Sequence, residues 1–113
     1  MNISLYYKND CSKSKTCLKI LKKRNLKFKL IEYIKHPLKQ SEINSIIENL
    51  VGDRKKILRS FQNIEMEVFN SKKKLSNFLF LNQNLLQRPI LFYKKKYWIC
   101  RPPEKILNIL AKS

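Results

Sequence analysis

Glycine is almost missing from this chain. Gly52 is the one glycine in 113 residues, and no stretch is rich in serine, glycine or proline. The sequence therefore offers no linker, no low-complexity segment and no internal repeat. Long apolar runs are missing too: stretches such as Phe78-Leu79-Phe80-Leu81 fall far short of the roughly 18 to 20 residues that a membrane span needs. The N-terminus lacks the basic-then-apolar layout of a signal peptide. A cytoplasmic protein without a membrane role is expected. Histidine occurs once, as His36 before Pro37, with no second ligand candidate nearby, which argues against a metal site. Acidic side chains are scarce, 8 against 25 basic ones, for a formal charge of +17.

A charge of that size invites a nucleic-acid reading, because lysines neutralise phosphates and release counterions. The distribution argues otherwise. Twenty of the basic residues are lysine, spread along the whole chain beside heavy use of isoleucine and asparagine, the mix of an AT-rich genome. The runs Lys72-Lys73-Lys74 and Lys94-Lys95-Lys96 fall where a helix starts and a hairpin turns, as solvated surface does. Nucleic acid is not the expected partner, although long-range attraction for anions is.

What the chain does have is 43% apolar residues, enough for one domain over residues 1–113 with its own core. Residues 2–7 form a short apolar run of β-formers that stops at Lys8-Asn9-Asp10. From Ser12 to about Asn25, Cys17, Leu18, Ile20 and Leu21 gather on one side and lysines on the other, which predicts an amphipathic helix. Residues 27–34 read as a second strand, ended by His36-Pro37. Ser41 with Ile43, Ile46, Ile47 and Leu50 predicts a helix stopped near Gly52. Asp53 caps a short helix through Arg59, and Ser71 caps another with Leu75, Phe78, Leu79 and Leu86 near its apolar side. Residues 89–93 and 97–100 read as strands around a lysine turn, and a last helix starts at Pro102.

The order is β-α-β, a helical insertion over about residues 38–87, then β-β-α. A β-α-β unit makes its strands parallel, and a closing hairpin and helix complete a four-stranded mixed sheet with flanking helices. This is the layout of a thioredoxin-like fold. It puts Cys11 at the carboxyl end of the first strand and the N-terminus of the first helix, where unpaired N–H groups and the positive end of the dipole stabilise a thiolate.

"CSKSK" after the first strand, "QRPI" before the third and "CRPPEKIL" opening the last helix occur in that order. Together with the element order they resemble the glutaredoxin-coupled arsenate reductase family over roughly residues 3–110. The resemblance implies Cys11 as nucleophile, Arg59, Arg88 and Arg101 as the residues that hold an oxyanion, and Pro89 as the cis-proline of the fold. It implies an arsenate-type oxyanion as substrate, glutathione as co-substrate, glutaredoxin as partner and no bound cofactor; separately from the resemblance, a monomer is expected. Elementary chemistry agrees: attack on arsenate needs a thiolate, and forked guanidinium groups suit a tetrahedral oxyanion better than lysine does. Only five arginines occur in this lysine-dominated chain, and three of them fall on those positions.

The other thiols read differently. Six helical residues between Cys11 and Cys17 rise about 9 Å, beyond the roughly 7 Å Cα limit for a disulfide. Cys17 is expected in the core. Cys100 precedes Arg101 at a strand end, where neighbours point to opposite faces, so it turns from the anion if Arg101 faces it. Two other function classes remain open. One is a regulator of the related Spx type that binds RNA polymerase, although Ser14 stands where its Cys-x-x-Cys switch needs a thiol; the other is a non-catalytic anion- or nucleic-acid-binding module.

Overall fold

The computed structural model describes residues 2–60 and 66–111. Part of the expected insertion, residues 61–65, lies outside these. Strand β1 (Ser4–Tyr7) leads into helix α1 (Ser12–Lys23) and strand β2 (Lys29–Glu32). Helix α2 (Gln40–Glu48), the two-residue strand β3 (Leu50–Val51) and a 3-10 turn (Arg54–Ile57) follow. A second 3-10 turn (Met66–Asn70) precedes helix α3 (Lys72–Leu81), and a third spans Gln83–Leu85. Strands β4 (Ile90–Tyr93) and β5 (Lys96–Ile99) and helix α4 (Lys105–Ala111) complete the chain.

The sheet has five strands in the order β2-β1-β4-β5-β3, not the four expected. β1 runs parallel to β2 and antiparallel to β4, β4 antiparallel to β5, and β5 parallel to the added β3. The expected helix through Leu50 instead ends at Glu48, with Asn49 as its cap, and Leu50 pairs with Tyr97. Gly52 lies one residue beyond β3 at φ +103°, a left-handed conformation that a side chain would strain. Its work is to turn the chain out of β3, not to stop α2.

The caps follow the residues. Asp53 accepts from the Lys55 N–H at 2.9 Å, and Ser71 Oγ accepts from the Lys74 N–H at 3.0 Å. Glu42 Oε1 accepts from the Lys39 N–H at 3.1 Å, so α2 begins with half of a capping box. Lys22 and Lys23 sit in the last turn of α1, where cations complement the dipole. α3 stops at Asn82, so Leu86 belongs to the segment after it and not to its apolar face. The expected start of α4 at Pro102 shifts to Lys105, after a turn through both prolines. Lys94 and Lys95 both take positive φ, 53° and 63°, the geometry of a type I′ hairpin turn.

Strand alternation builds two cores, one on each face of the sheet. Ile3, Leu5 and Tyr7 with Leu91 and Tyr93 pack against Cys17 and Leu21 of α1 and Ile106, Ile109 and Leu110 of α4. Tyr6 and Ile90 face the other way, against Ile43, Ile46 and Ile47 of α2 and Leu75 and Leu79 of α3. Each fully buried aliphatic side chain contributes roughly 1.5–3 kcal/mol. The two layers fix both ends of β1 and so the loop that carries Cys11. Among the described residues no helix is long and apolar enough to cross a membrane.

Candidate active site

Cys11 is the N-cap residue of α1. Its backbone is extended (φ −93°, ψ 118°), its N–H closes a turn onto the Lys8 carbonyl at 3.1 Å, and its carbonyl accepts the first helical bond from Lys15 at 3.0 Å. The side chain is half-buried and the thiol is free. Partial burial pushes this thiol up, but the Ser14 hydroxyl, the N–H groups of Ser14 and Lys13, and the charge of Arg101 outweigh it. The net result is a thiol below its ordinary value. Ser14 is suited to that role because it is fully buried and its oxygen already accepts from the Lys8 N–H at 3.4 Å, leaving its own proton to donate. Asp10, next to the thiol, turns instead to Lys8, with Nζ 3.3 Å from its carboxylate.

Arg88 sits two residues before β4 and is only 3% exposed. The Arg88-Pro89 peptide is cis, and so is Arg101-Pro102. Its Nη1 donates to the Asn84 carbonyl at 2.8 Å, with the Leu86 carbonyl and the Tyr33 hydroxyl each 3.4 Å away. All of these acceptors are neutral. Among the described residues no carboxylate pairs with Arg88, and its Nε is the one buried side-chain nitrogen or oxygen without a hydrogen-bond partner. A buried cation in that state wants an anion. Its charge also reaches Asp10, and so lies close to the turn that presents Cys11.

Arg101 comes two residues after β5, and its Nε donates to the Arg88 carbonyl at 2.8 Å. Arg59 arrives by a different route. Leu58 forms an antiparallel bridge with Leu86, the Arg59 N–H donates to the Leu85 carbonyl at 2.9 Å, and the Gln87 N–H donates to the Ile57 carbonyl at 2.7 Å. That short ladder lays Arg59 beside the segment that leads to Arg88. Arg59 is exposed and, with Arg101, Gln87, Lys56 and Lys105, lines a cleft of about 310 Å³. The structure thus ties Arg88 to Arg101 directly and sets Arg59 and Arg101 around one cleft; neither Cys11 nor Arg88 lines that cleft.

The sequence of residues 6–109 matches the ArsC family over most of its length. The chain belongs to the ArsC family. Among similar members, the arsenate reductase of Haemophilus influenzae is 26% identical, with 97% of this chain and 100% of that protein covered. The uncharacterized protein YfgD of Escherichia coli is 25% identical, with 96% and 97% covered. The structure of an arsenate reductase from Vibrio cholerae superposes with a TM-score of 0.79 at 22% identity, covering 96% of this chain and 98% of that one. The fold is thioredoxin-like, shared with that ArsC structure.

Against this family background, Tyr33 is the site residue that sequence reasoning did not single out. It reads as one more residue of a strand, yet it lies just beyond β2, fully buried, with its hydroxyl donating to the Leu86 carbonyl at 3.0 Å. Burial raises its pKa, the neighbouring Arg88 and Arg59 charges pull it back, and Cys11 adds to the rise. One hydroxyl thus feels Cys11 and two of the three arginines. The only sequence signal was an aromatic with a polar tip at a strand end; its partner lies 53 residues away.

Cys17 and Cys100 are both fully buried. The neighbouring Cys100 thiol, and then burial, pushes the Cys17 thiol far above its ordinary range. Cys17 Sγ also donates to the Pro103 carbonyl at 3.5 Å. His36 is exposed in the turn after β2, and among the described residues no group of three metal-ligating side chains gathers anywhere.

Proposed function

We propose that the chain is a thiol oxidoreductase of the arsenate reductase kind, in which the Cys11 thiolate attacks an arsenate-type oxyanion and glutathione with glutaredoxin supplies the electrons. The observation that carries this reading is Arg88: a buried guanidinium with no carboxylate partner and an unspent Nε, beside the loop of a thiol held below its ordinary pKa. An incoming oxyanion supplies the missing negative charge and takes charge-assisted hydrogen bonds in a partly dehydrated setting. Arg101 stabilises the thiolate before attack and the anionic adduct after it, and Arg59 closes the exposed side.

The steps balance as follows. The thiolate sulfur bonds to pentavalent arsenic, and one As–O bond breaks, its oxygen leaving as water after taking up protons. A glutathione thiolate then attacks the Cys11 sulfur. The S–As electron pair stays on arsenic, which becomes trivalent and departs as arsenite, leaving a Cys11–glutathione mixed disulfide. Glutaredoxin removes the glutathionyl group and restores the thiol. One protein cysteine suffices, the chain works as a monomer, and it carries no resident cofactor. A cytoplasmic setting fits its three free thiols. The relatives named arsenate reductase support this assignment.

The test is a coupled assay with arsenate, glutathione, glutaredoxin, glutathione reductase and NADPH. NADPH oxidation that depends on arsenate and vanishes in Cys11→Ser is the expected result. Equal rates with and without arsenate would remove the activity.

A further inference from the structure

We propose that Tyr33 is a positioning residue of the anion site, its buried hydroxyl setting the direction in which Arg88 presents its unspent Nε. This rests on the reading of Arg88 as an anion ligand.

The competition for one carbonyl carries the argument. The Leu86 carbonyl has two suitors: the Tyr33 hydroxyl at 3.0 Å and Arg88 Nη1 at 3.4 Å. The nearer one is the hydroxyl, and its oxygen in turn accepts from the same Nη1 at 3.4 Å. Nη1 consequently makes its shortest bond to the Asn84 carbonyl, at 2.8 Å. Without the hydroxyl, the Leu86 carbonyl keeps only its long bond from Nη1, and the cation beside it is the donor at hand to shorten it. The guanidinium is planar and its donors form a rigid fork, so drawing Nη1 toward Leu86 also turns Nε. Tyr33 prevents that turn by occupying Leu86 first.

The surroundings are stiff enough for this to matter. Tyr33 is fully buried and packs in the core formed by α2 and α3 with Leu86 and Ile90. Leu86 is held by its bridge to Leu58, the same ladder that carries Arg59. A displaced guanidinium cannot be corrected by a shift of the carbonyl.

Calorimetric binding of inorganic phosphate and of arsenate tests the proposal in Tyr33→Phe, Arg88→Met and the double variant. Tyr33→Phe keeps the ring and its packing, and binding about tenfold weaker is expected, the low end for a hydrogen bond to a charged group. In the Arg88→Met background the same change should alter binding by less than twofold, because Tyr33 acts through Arg88. A merely structural role would weaken binding in both backgrounds alike. Wild-type binding by Tyr33→Phe, or equal losses in both backgrounds, overturns the positioning role. Unchanged binding in Arg88→Met instead overturns the anion site itself. A readout without substitution runs alongside: the Tyr33 Cζ resonance of ¹³C-labelled native protein should move when phosphate is added, and a fixed resonance at saturating phosphate counts against the proposal.

Discussion

Arg101 donates through Nε to the carbonyl oxygen of Arg88 at 2.8 Å, so two guanidinium-bearing residues from opposite ends of the β4–β5 hairpin are locked to one another. The bond uses the Nε donor of Arg101 and leaves the Nη groups to act at a distance on Cys11. It also orders the segment around both prolines without any charged partner. The arginine pair is a built feature of the hairpin, and its effects on the thiol can be measured separately from turnover.

Cys11 alkylation should follow a titration with its midpoint below that of an ordinary thiol. Arg101 favours the charged form, so Arg101→Ala should move the midpoint upward. The sign for stability agrees. A thiol with a depressed folded-state pKa contributes stability above its unfolded pKa and loses it as pH falls through the folded one. Iodoacetamide rates across the pH range, read by mass spectrometry, check the order; a native midpoint at or above that of the same thiol in the unfolded chain contradicts it.

Anions should stabilise the folded chain. An anion that binds only the native state at a hundred times its Kd adds about 2.7 kcal/mol. Thermal unfolding in rising sulfate or phosphate should therefore shift upward in the native protein and much less in Arg88→Met. The difference isolates the site from general screening of the +17 charge, which both proteins share within one unit.

Most of this frame was legible in the residues, for reasons that also explain the gaps. The period-two and period-3.6 patterns gave four strands, α1 and the Ser71 and Asp53 caps because each depends on near neighbours. β3 escaped because Leu50 and Val51 continue the apolar stripe of α2, and only pairing with Tyr97 and Trp98, almost fifty residues on, makes them a strand. Leu86 was assigned to α3 for the same reason: a periodic apolar residue beyond a helix end looks like one more turn. Cys11 stood out because a thiol at a strand-helix corner is a local signal. Tyr33 did not, since its role depends on Leu86 and Arg88.

Leu5 tests the sheet itself. It is fully buried in the middle of β1, paired with Leu30 on one side and Leu91 on the other, and packed in the α1–α4 layer. Leu5→Ala should cost roughly 2–5 kcal/mol in urea unfolding, whereas Leu81→Ala, at a site 78% exposed, should fall within about 0.5 kcal/mol of the native chain. Equal effects would mean that β1 is not a buried interior strand.

The last expectation concerns which sulfur does the chemistry. Cys11 is half-buried with its thiol lowered, while Cys17 and Cys100 are fully buried against each other and the Cys17 thiol is raised. A thiolate is the reacting form, and of the three only Cys11 combines access with a lowered pKa. Brief alkylation followed by peptide mapping should label Cys11 at least tenfold faster than either partner. Glutathione disulfide should give a single mixed disulfide there, since the six-residue helical separation puts Cys17 out of bonding reach. Cys17→Ala should leave both results unchanged. An internal disulfide that includes Cys11 under these conditions would sink the one-cysteine cycle, because the thiol that resolves Cys11 would then come from this chain and not from glutathione.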